Sequence, residues 1–242
     1  MLGDKDGPCG QKKVKVLGIS CSPRREDEGH GLSRSEYLLE KLMKYSRDFG
    51  GQTEIIRLSD KKIKICEGCY SDSKGGLACV FPCIHQDDTN LVLQAIIDCD
   101  ALVFSTPIYW GGVSSSFRIL VEKMTALENN AKDIFRAIGK EPLEGKIFAL
   151  LASEDSEGAS MALPQVAWAF NHMGMIIVPY GMIFEPALLQ RTIVKLGLRL
   201  IGIRKFEWIE NSIRLAARNL VLLPKQLSGY QFDDYKIDEP RA

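Results

Sequence analysis

The chain has 242 residues, 45% of them hydrophobic and 26% charged, with 31 lysines and arginines against 31 acidic residues. These values match an ordinary soluble globular protein and exclude fibrous, collagen-like and disordered classes. A formal net charge of zero and a pI near 6.8 give no electrostatic reason to expect a nucleic-acid partner.

Residues 1–12 read as a flexible lead-in, and 13–242 as a single domain. KVKVLGIS (Lys13–Ser20) is a β-branched run of the kind a strand buried on both faces requires. After a polar loop, Ser33 or Ser35 caps a helix that runs to about Phe49, with Leu38, Leu39, Leu42 and Met43 on its apolar side and Gly50–Gly51 as its stop. TEIIRL (Thr53–Leu58) is a second strand, Asp88–Asp98 a helix, ALVFS (Ala101–Ser105) a third strand and Ser114–Leu127 a helix. KIFALLA (Lys146–Ala152) is a fourth strand, Ala159–Met173 a helix and MIIVPY (Met175–Tyr180) a fifth strand. A final helix spans Glu207–Leu223, with Trp208, Ile209, Ile213, Leu215, Ala216 and Leu220 as its core stripe. Strands alternating with helices predict an α/β fold, a doubly wound five-stranded parallel sheet with helices on both faces. Two stretches exceed this pattern: the Cys-rich loop 60–87 and an additional segment at 182–205, either an extra helix for dimer contacts or core decoration.

In an open parallel sheet, ligands bind outside the carboxyl ends of the strands, at the switch point. The loop Gly18–Ser35 leaves a strand and enters a helix there, and it carries Ser20, Ser22, Ser33, Ser35, Arg24, Arg25 and Arg34. Hydroxyls, guanidinium groups and the backbone N–H groups of a helix start make a phosphate cradle. The spacing fits neither the Walker lysine loop nor G-x-G-x-x-G, which points to a mononucleotide phosphate. The segment Ser105–Leu120 places Tyr109 and Trp110 between Pro107 and Gly111–Gly112. The proline stiffens a turn, the glycines admit a ligand close to the backbone, and the aromatics offer a face to a planar ring.

SCSPRR followed by the Ser33/Ser35 helix cap, and TPIYWGG followed by an amphipathic helix, resemble the NAD(P)H-dependent FMN reductases of flavodoxin-like fold, with the iron–sulfur flavoproteins as the nearest branch. The resemblance implies that Ser20, Ser22, Arg24, Ser33 and Ser35 hold the FMN phosphate. It implies that Pro107, Ile108, Tyr109, Trp110, Gly111 and Gly112 line the ring and ribityl chain, and that Ser153 to Gly158 closes over the ring edge. That last loop, ASEDSEG, is more acidic than the family's, and Glu154, Asp155 and Glu157 would disfavour an anionic substrate nearby.

Seven cysteines are present, at 9, 21, 66, 69, 79, 83 and 99. The N-terminus MLGDKDGPCGQKK lacks the apolar segment of a secretory leader, so a cytoplasmic location with reduced thiols is expected. From Met175 to Ile203 the chain meets Pro179, Glu185, Pro186, Arg191, Lys195 and Arg199, which argues against a membrane span. Cys66 and Cys69 form C-x2-C, and Cys79 and Cys83 form C-x3-C, four thiolates in one loop as an iron–sulfur cluster or structural zinc requires. The resemblance implies a [4Fe–4S] cluster here, although nine residues separate Cys69 from Cys79, wider than the family spacing. Zinc, a reversible disulfide and no metal at all stay open. His85 is either a substitute ligand or a surface histidine; Cys99 reads as core, and Cys21 as a main-chain contributor to the phosphate loop.

The resulting expectation is an FMN-binding oxidoreductase, homodimer or homotetramer. It would move electrons from NAD(P)H through flavin to a quinone, flavin or protein acceptor, with no side chain serving as acid or base. The alternatives are an iron–sulfur electron carrier without direct NAD(P)H turnover and a zinc-stapled flavin sensor.

Overall fold

The computed structural model describes residues 13–24, 33–71, 79–128, 141–154, 158–186 and 199–228. In chain order the strands are β1 (Lys15–Ser20), β2 (Gln52–Arg57), β3 (Ala101–Tyr109), the short β4 (Gly112–Val113), β5 (Ile147–Glu154) and β6 (Ile176–Pro186). The helices are α1 (Arg34–Asp48), α2 (Thr89–Asp98), α3 (Ser115–Lys123), α4 (Thr125–Glu128), α5 (Ala159–His172) and α6 (Arg199–Leu227). The five long strands are parallel in the order β2-β1-β3-β5-β6, while β4 folds back antiparallel on the end of β3. This is the flavodoxin-like doubly wound order, and it places the topological switch between β1 and β3.

The strands are nearly continuous apolar runs because helices cover both of their faces. Alternation along each strand then sorts the side chains into two cores. Val16, Ala101, Val103, Ala149 and Leu151 pack with Leu38, Leu39, Leu42 and Met43 of α1 and with Ile213, Ala216 and Leu220 of α6. On the other face Leu17, Ile19, Leu102, Phe104, Phe148 and Leu150 pack with α2, α3 and α5. There Phe104 stacks on Phe117 at 5.2 Å between ring centroids and meets Phe170 at 4.8 Å.

The predicted strands and helices are present with revised limits. β3 runs on to Tyr109, so Pro107–Tyr109 belong to a strand end, and the turn narrows to Trp110–Gly111. The predicted Ser114–Leu127 helix is two helices broken at Met124. Of the segment 182–205, residues 182–186 finish β6 and 199–205 open α6, while 187–198 lie outside the described residues. The proline and glycine of Val178–Gly181 form a bulge that the strand crosses, with Phe148 facing Ile177 and Leu150 facing Met182. A Cβ on Gly181 would meet the Val178 carbonyl oxygen at 2.6 Å, which explains the glycine. Trp208 is 58% exposed and leaves the predicted core stripe, and Leu215 is only half-buried. The lead-in 1–12 and Arg25 lie outside the described residues. Among the described residues no helix is long and apolar enough to cross a membrane.

Candidate functional site

The parallel register aligns Arg57, Ser20 and Ser105 across the carboxyl ends of β2, β1 and β3. Beyond this row the chain leaves β1, and buried hydroxyls stand at the two described ends of the β1–α1 loop. Ser20, Ser22, Ser33 and Ser35 are all buried, whereas Arg24 is exposed with its N–H donating to Ser22 Oγ at 3.3 Å. Ser33 is the helix cap: its Oγ accepts from the Glu36 N–H at 3.2 Å and lies 3.2 Å from Ser35 Oγ. Ser105 Oγ donates to the Ser35 carbonyl, so the end of β3 holds the first turn of α1 in place.

Cys21 contributes differently from the expectation. Its N–H donates to the Ser105 carbonyl at 2.7 Å and is therefore spent within the sheet. Its carbonyl accepts from Ser114 Oγ at 2.6 Å and from Ser116 Oγ at 2.9 Å, at the start of α3. Burial pushes the Cys21 thiol well above its ordinary range, so it stays protonated and unreactive. Thr106 Oγ1 accepts from the Ser114 N–H at 3.1 Å and completes the lattice of hydroxyls joining the starts of α1 and α3.

Arg34, the first residue of α1, lies between two of the predicted contact serines. Its Nη1 is buried without a hydrogen-bond partner among the described residues. A buried guanidinium nitrogen is costly to leave unpaired. An anion held between Ser22 and the first turn of α1 would satisfy it, together with the free N–H groups and positive end of that 15-residue helix. Glu36 is also buried, but its charge is matched: Arg57 Nε binds Glu36, and Arg57 Nη2 reaches Glu40 at 3.3 Å.

The ring-side residues converge from two loops. Pro107 faces Ser153 in the sheet register, and Ser153 faces Glu185 in β6. Trp110 takes a left-handed backbone (φ 50°) followed by Gly111 (φ 75°), which reverses the chain into Gly112 and leaves the indole fully exposed and Tyr109 half-exposed. A Cβ on Gly158 would stand 3.1 Å from both the Gly111 Cα and Ile108 Cγ2, so the β5–α5 loop closes against the β3–β4 turn only because that residue has no side chain. Glu154 is buried, and its Oε2 accepts from the Ala159 N–H at 2.7 Å. It therefore stands at the first turn of α5, where the helix dipole favours negative charge; Asp155 and Glu157 lie outside the described residues.

The cysteine loop lies on the same edge of the sheet, between β2 and α2. Cys66, Cys69, Cys79 and Cys83 are all half-buried and unpaired. Burial pushes the Cys79 thiol up to about 11, with repulsion from the other three cysteines adding to the shift, so the four sulfurs share one neighbourhood. The Gly68 N–H approaches Cys66 Sγ at 3.4 Å, and Lys123 Nζ lies 3.8 Å from Cys83 Sγ. The donors fit a four-thiolate group in number and kind. Among the described residues, however, no three His, Cys, Asp or Glu side chains already form a metal-holding group. His85 is buried rather than at the surface, 3.4 Å from Glu67 Oε1. Cys99 is core as expected, its thiol pushed up to about 12 by burial.

The sheet order, with buried serines at the start of α1 and Gly158 against the β3–β4 turn on the carboxyl edge, is the flavodoxin-like α/β arrangement. The sequence profile of the NADPH-dependent FMN reductases matches residues 14–186, and the chain belongs to that family of flavoprotein oxidoreductases. It is 24% identical over 173 residues to an iron-sulfur flavoprotein of Archaeoglobus fulgidus, covering 72% of this chain and 75% of that one. To an iron-sulfur flavoprotein of Methanocaldococcus jannaschii it is 30% identical over 114 residues, 47% of this chain and about half (53%) of the relative. The crystal structure of RosB with a bound 8-demethyl-8-formylriboflavin-5'-phosphate intermediate superposes with a TM-score of 0.67 at 21% identity, covering 89% of this chain and 80% of that one, a match of fold.

Proposed function

We propose that this enzyme binds FMN along the carboxyl edge of the sheet and uses it to oxidise NAD(P)H. The reading is carried by Arg34 Nη1, buried without a partner among the described residues and set among buried hydroxyls at the start of α1. Ser20, Ser22, Ser33 and Ser35 would hold the phosphate with Arg34, while the exposed Arg24 would close over it from solvent. Pro107, Ile108, Tyr109, Trp110, Gly111 and Gly112 would line the ring and ribityl chain, and Ser153 would meet the ring edge. When bound, FMN supplies the electron chemistry, accepting a hydride from NAD(P)H and delivering electrons to a quinone, flavin or protein acceptor. The chain's own work is to orient: the Gly111–Gly158 closure fixes the cleft, and the exposed Trp110 offers a planar acceptor a face on which to stack. Steady-state NAD(P)H oxidation with a quinone or free flavin as acceptor tests the reading; FMN-loaded protein without turnover would overturn it.

The gathering of four thiols favours a second reading. Cys66, Cys69, Cys79 and Cys83 would hold an iron–sulfur cluster, and the protein would then act as a one-electron carrier, reduced by a ferredoxin-type partner rather than by NAD(P)H. Iron and sulfide near four per chain support the cluster; stoichiometric zinc without iron favours a zinc-stapled module instead. A homodimer or homotetramer is supported by the exposed Met161 and Trp168, seven residues apart on one face of α5. Sedimentation velocity showing only a monomer would oppose it. Reduced thiols fit a cytoplasmic location.

A further inference from the structure

Arg57 ends β2, the edge strand of the sheet, and stands in register with Ser20 of β1. Ile55, two residues earlier, packs against the core on the α1 side, so alternation puts Arg57 on that same face. From there it meets α1 twice: Nε binds Glu36 Oε1, and Nη2 reaches Glu40 Oε1, one turn further on, at 3.3 Å. The two carboxylates are not equivalent. The Glu40 side chain is 38% exposed, whereas that of Glu36 is only 4% exposed. A buried carboxylate is almost never left without a charge partner. Glu36 also belongs to the cradle itself: it follows Ser35 directly, and its N–H donates to Ser33 Oγ at 3.2 Å.

A buried negative charge in the first turn of α1 works against a phosphate bound there. It repels the anion and competes with it for the positive end of the helix. We infer that Arg57 is a positioning residue of the flavin site: it turns Glu36 into a neutral pair and so leaves the start of α1 able to hold a phosphate. This rests on the FMN reading above. Ser105 anchors the same turn independently, from β3 through the Ser35 carbonyl, so what the Arg57–Glu36 pair adds is charge balance rather than placement. The effect is electrostatic and acts through Glu36. It requires no contact between Arg57 and the flavin, and no proton or electron passes through the pair.

The test measures FMN and riboflavin affinities by fluorescence quenching on the flavin-free full chain, at pH 8 and fixed ionic strength. Wild type is compared with Arg57→Gln, Glu36→Gln and the double variant. Riboflavin lacks the phosphate, so the ratio of the two affinities isolates phosphate binding from any general loss of the site. Arg57→Gln should lower the FMN-to-riboflavin ratio about 10-fold, the scale of one uncompensated charge at short range in an effective dielectric of about 20. Glu36→Gln should keep or raise the ratio, and the double variant should return it to the wild-type value. A ratio that falls as far in Glu36→Gln as in Arg57→Gln, or a double variant as weak as Arg57→Gln, would assign the pair to holding the helix and overturn the charge role. An unchanged ratio in Arg57→Gln would overturn it as well. If Arg57→Gln does not fold, Glu36→Gln decides alone: a ratio at or above wild type supports the role, and a lowered one opposes it. Wild type that binds the two flavins equally would overturn the cradle reading itself, whereas a wild-type preference for FMN that Arg57→Gln leaves intact would overturn only the part given to Arg57.

Discussion

The two chemistry-bearing regions on the carboxyl edge of the sheet are held in different ways. The β1–α1 and β3–β4 segments are extensions of strands: Ser105 Oγ reaches the Ser35 carbonyl, Ser114 and Ser116 reach the Cys21 carbonyl, and every predicted contact serine there is buried. The cysteine loop hangs from backbone contacts at its ends, where the Lys62 and Lys64 N–H groups bond to Asp88 and Asp87 at 2.7 and 2.8 Å and Asn90 clasps the backbone of Cys83. Its thiols stay half-exposed. In the reading proposed above, the first region would be a preformed receptor whose geometry follows from sheet register, and the second a set of donors whose final arrangement depends on what it binds.

The largest effect that would sharpen this contrast is on metal. Cys69→Ala should remove all iron from anaerobically prepared protein while flavin stays bound. Full iron retention would break the four-thiolate assignment, and simultaneous loss of FMN would show that the two regions are not separate.

Next comes Arg34. Removing a charged donor from a buried anion site costs about 1.5–3 kcal/mol, or roughly 10- to 150-fold in FMN affinity. Arg34→Ala should show this by fluorescence titration, and Arg24→Ala should cost less because its side chain is exposed. The reverse ranking would move the anion outward, away from the start of α1.

Gly158→Val probes the contact between the two ring-side loops. Overpacking of this kind costs about 1–3 kcal/mol. The Gly111 backbone must yield, so the melting temperature should fall by about 2–12 °C and FMN affinity should fall as well. A variant with wild-type affinity would show that the closure does not shape the cleft.

These positions also show what the sequence could and could not reveal. The doubly wound parallel sheet and the helix cap at Ser33 or Ser35 were legible because an apolar run followed by a Ser-rich helix start has few folded solutions. Arg34 was visible as a basic residue in the loop, but only the lack of a partner for its Nη1 among the described residues singles it out, and pairing is a tertiary property. The lattice of Ser105, Thr106, Ser114 and Ser116 left a weaker trace, hydroxyls closing an apolar strand and capping the next helix. Pro179 and Gly181 suggested a strand end because both weaken strands, whereas neighbouring β5 carries β6 across a bulge. The exposure of Trp208 and the burial of Lys123 were not readable from a helical stripe, which gives the angle around a helix but not how far the neighbours extend.

The smallest effect concerns the staple between α1 and α6, where Glu210 accepts from Lys41 and Tyr45. Burial opposes ionisation of Glu210, but these two donors outweigh it and hold its carboxyl below the ordinary 4.5. A depressed folded-state pKa gives stability that is fully present above 4.5 and lost as pH falls through the lowered value. For so accessible a pair the contribution is about 0.2–1 kcal/mol. Urea midpoints of wild type and Glu210→Gln should therefore differ at pH 6 and converge toward pH 3; a constant gap would assign the difference to packing.

The account's central claim is that the start of α1 and the loop after β1 form a preformed cradle for a flavin phosphate. The most direct test is the ratio of FMN to riboflavin affinity, measured by fluorescence quenching on flavin-free protein. The two ligands differ only in the phosphate. The cradle predicts FMN binding at least about 100-fold tighter, the scale of two charge-assisted hydrogen bonds, with the gap narrowing in Arg34→Ala. Equal affinity for the two ligands would contradict it.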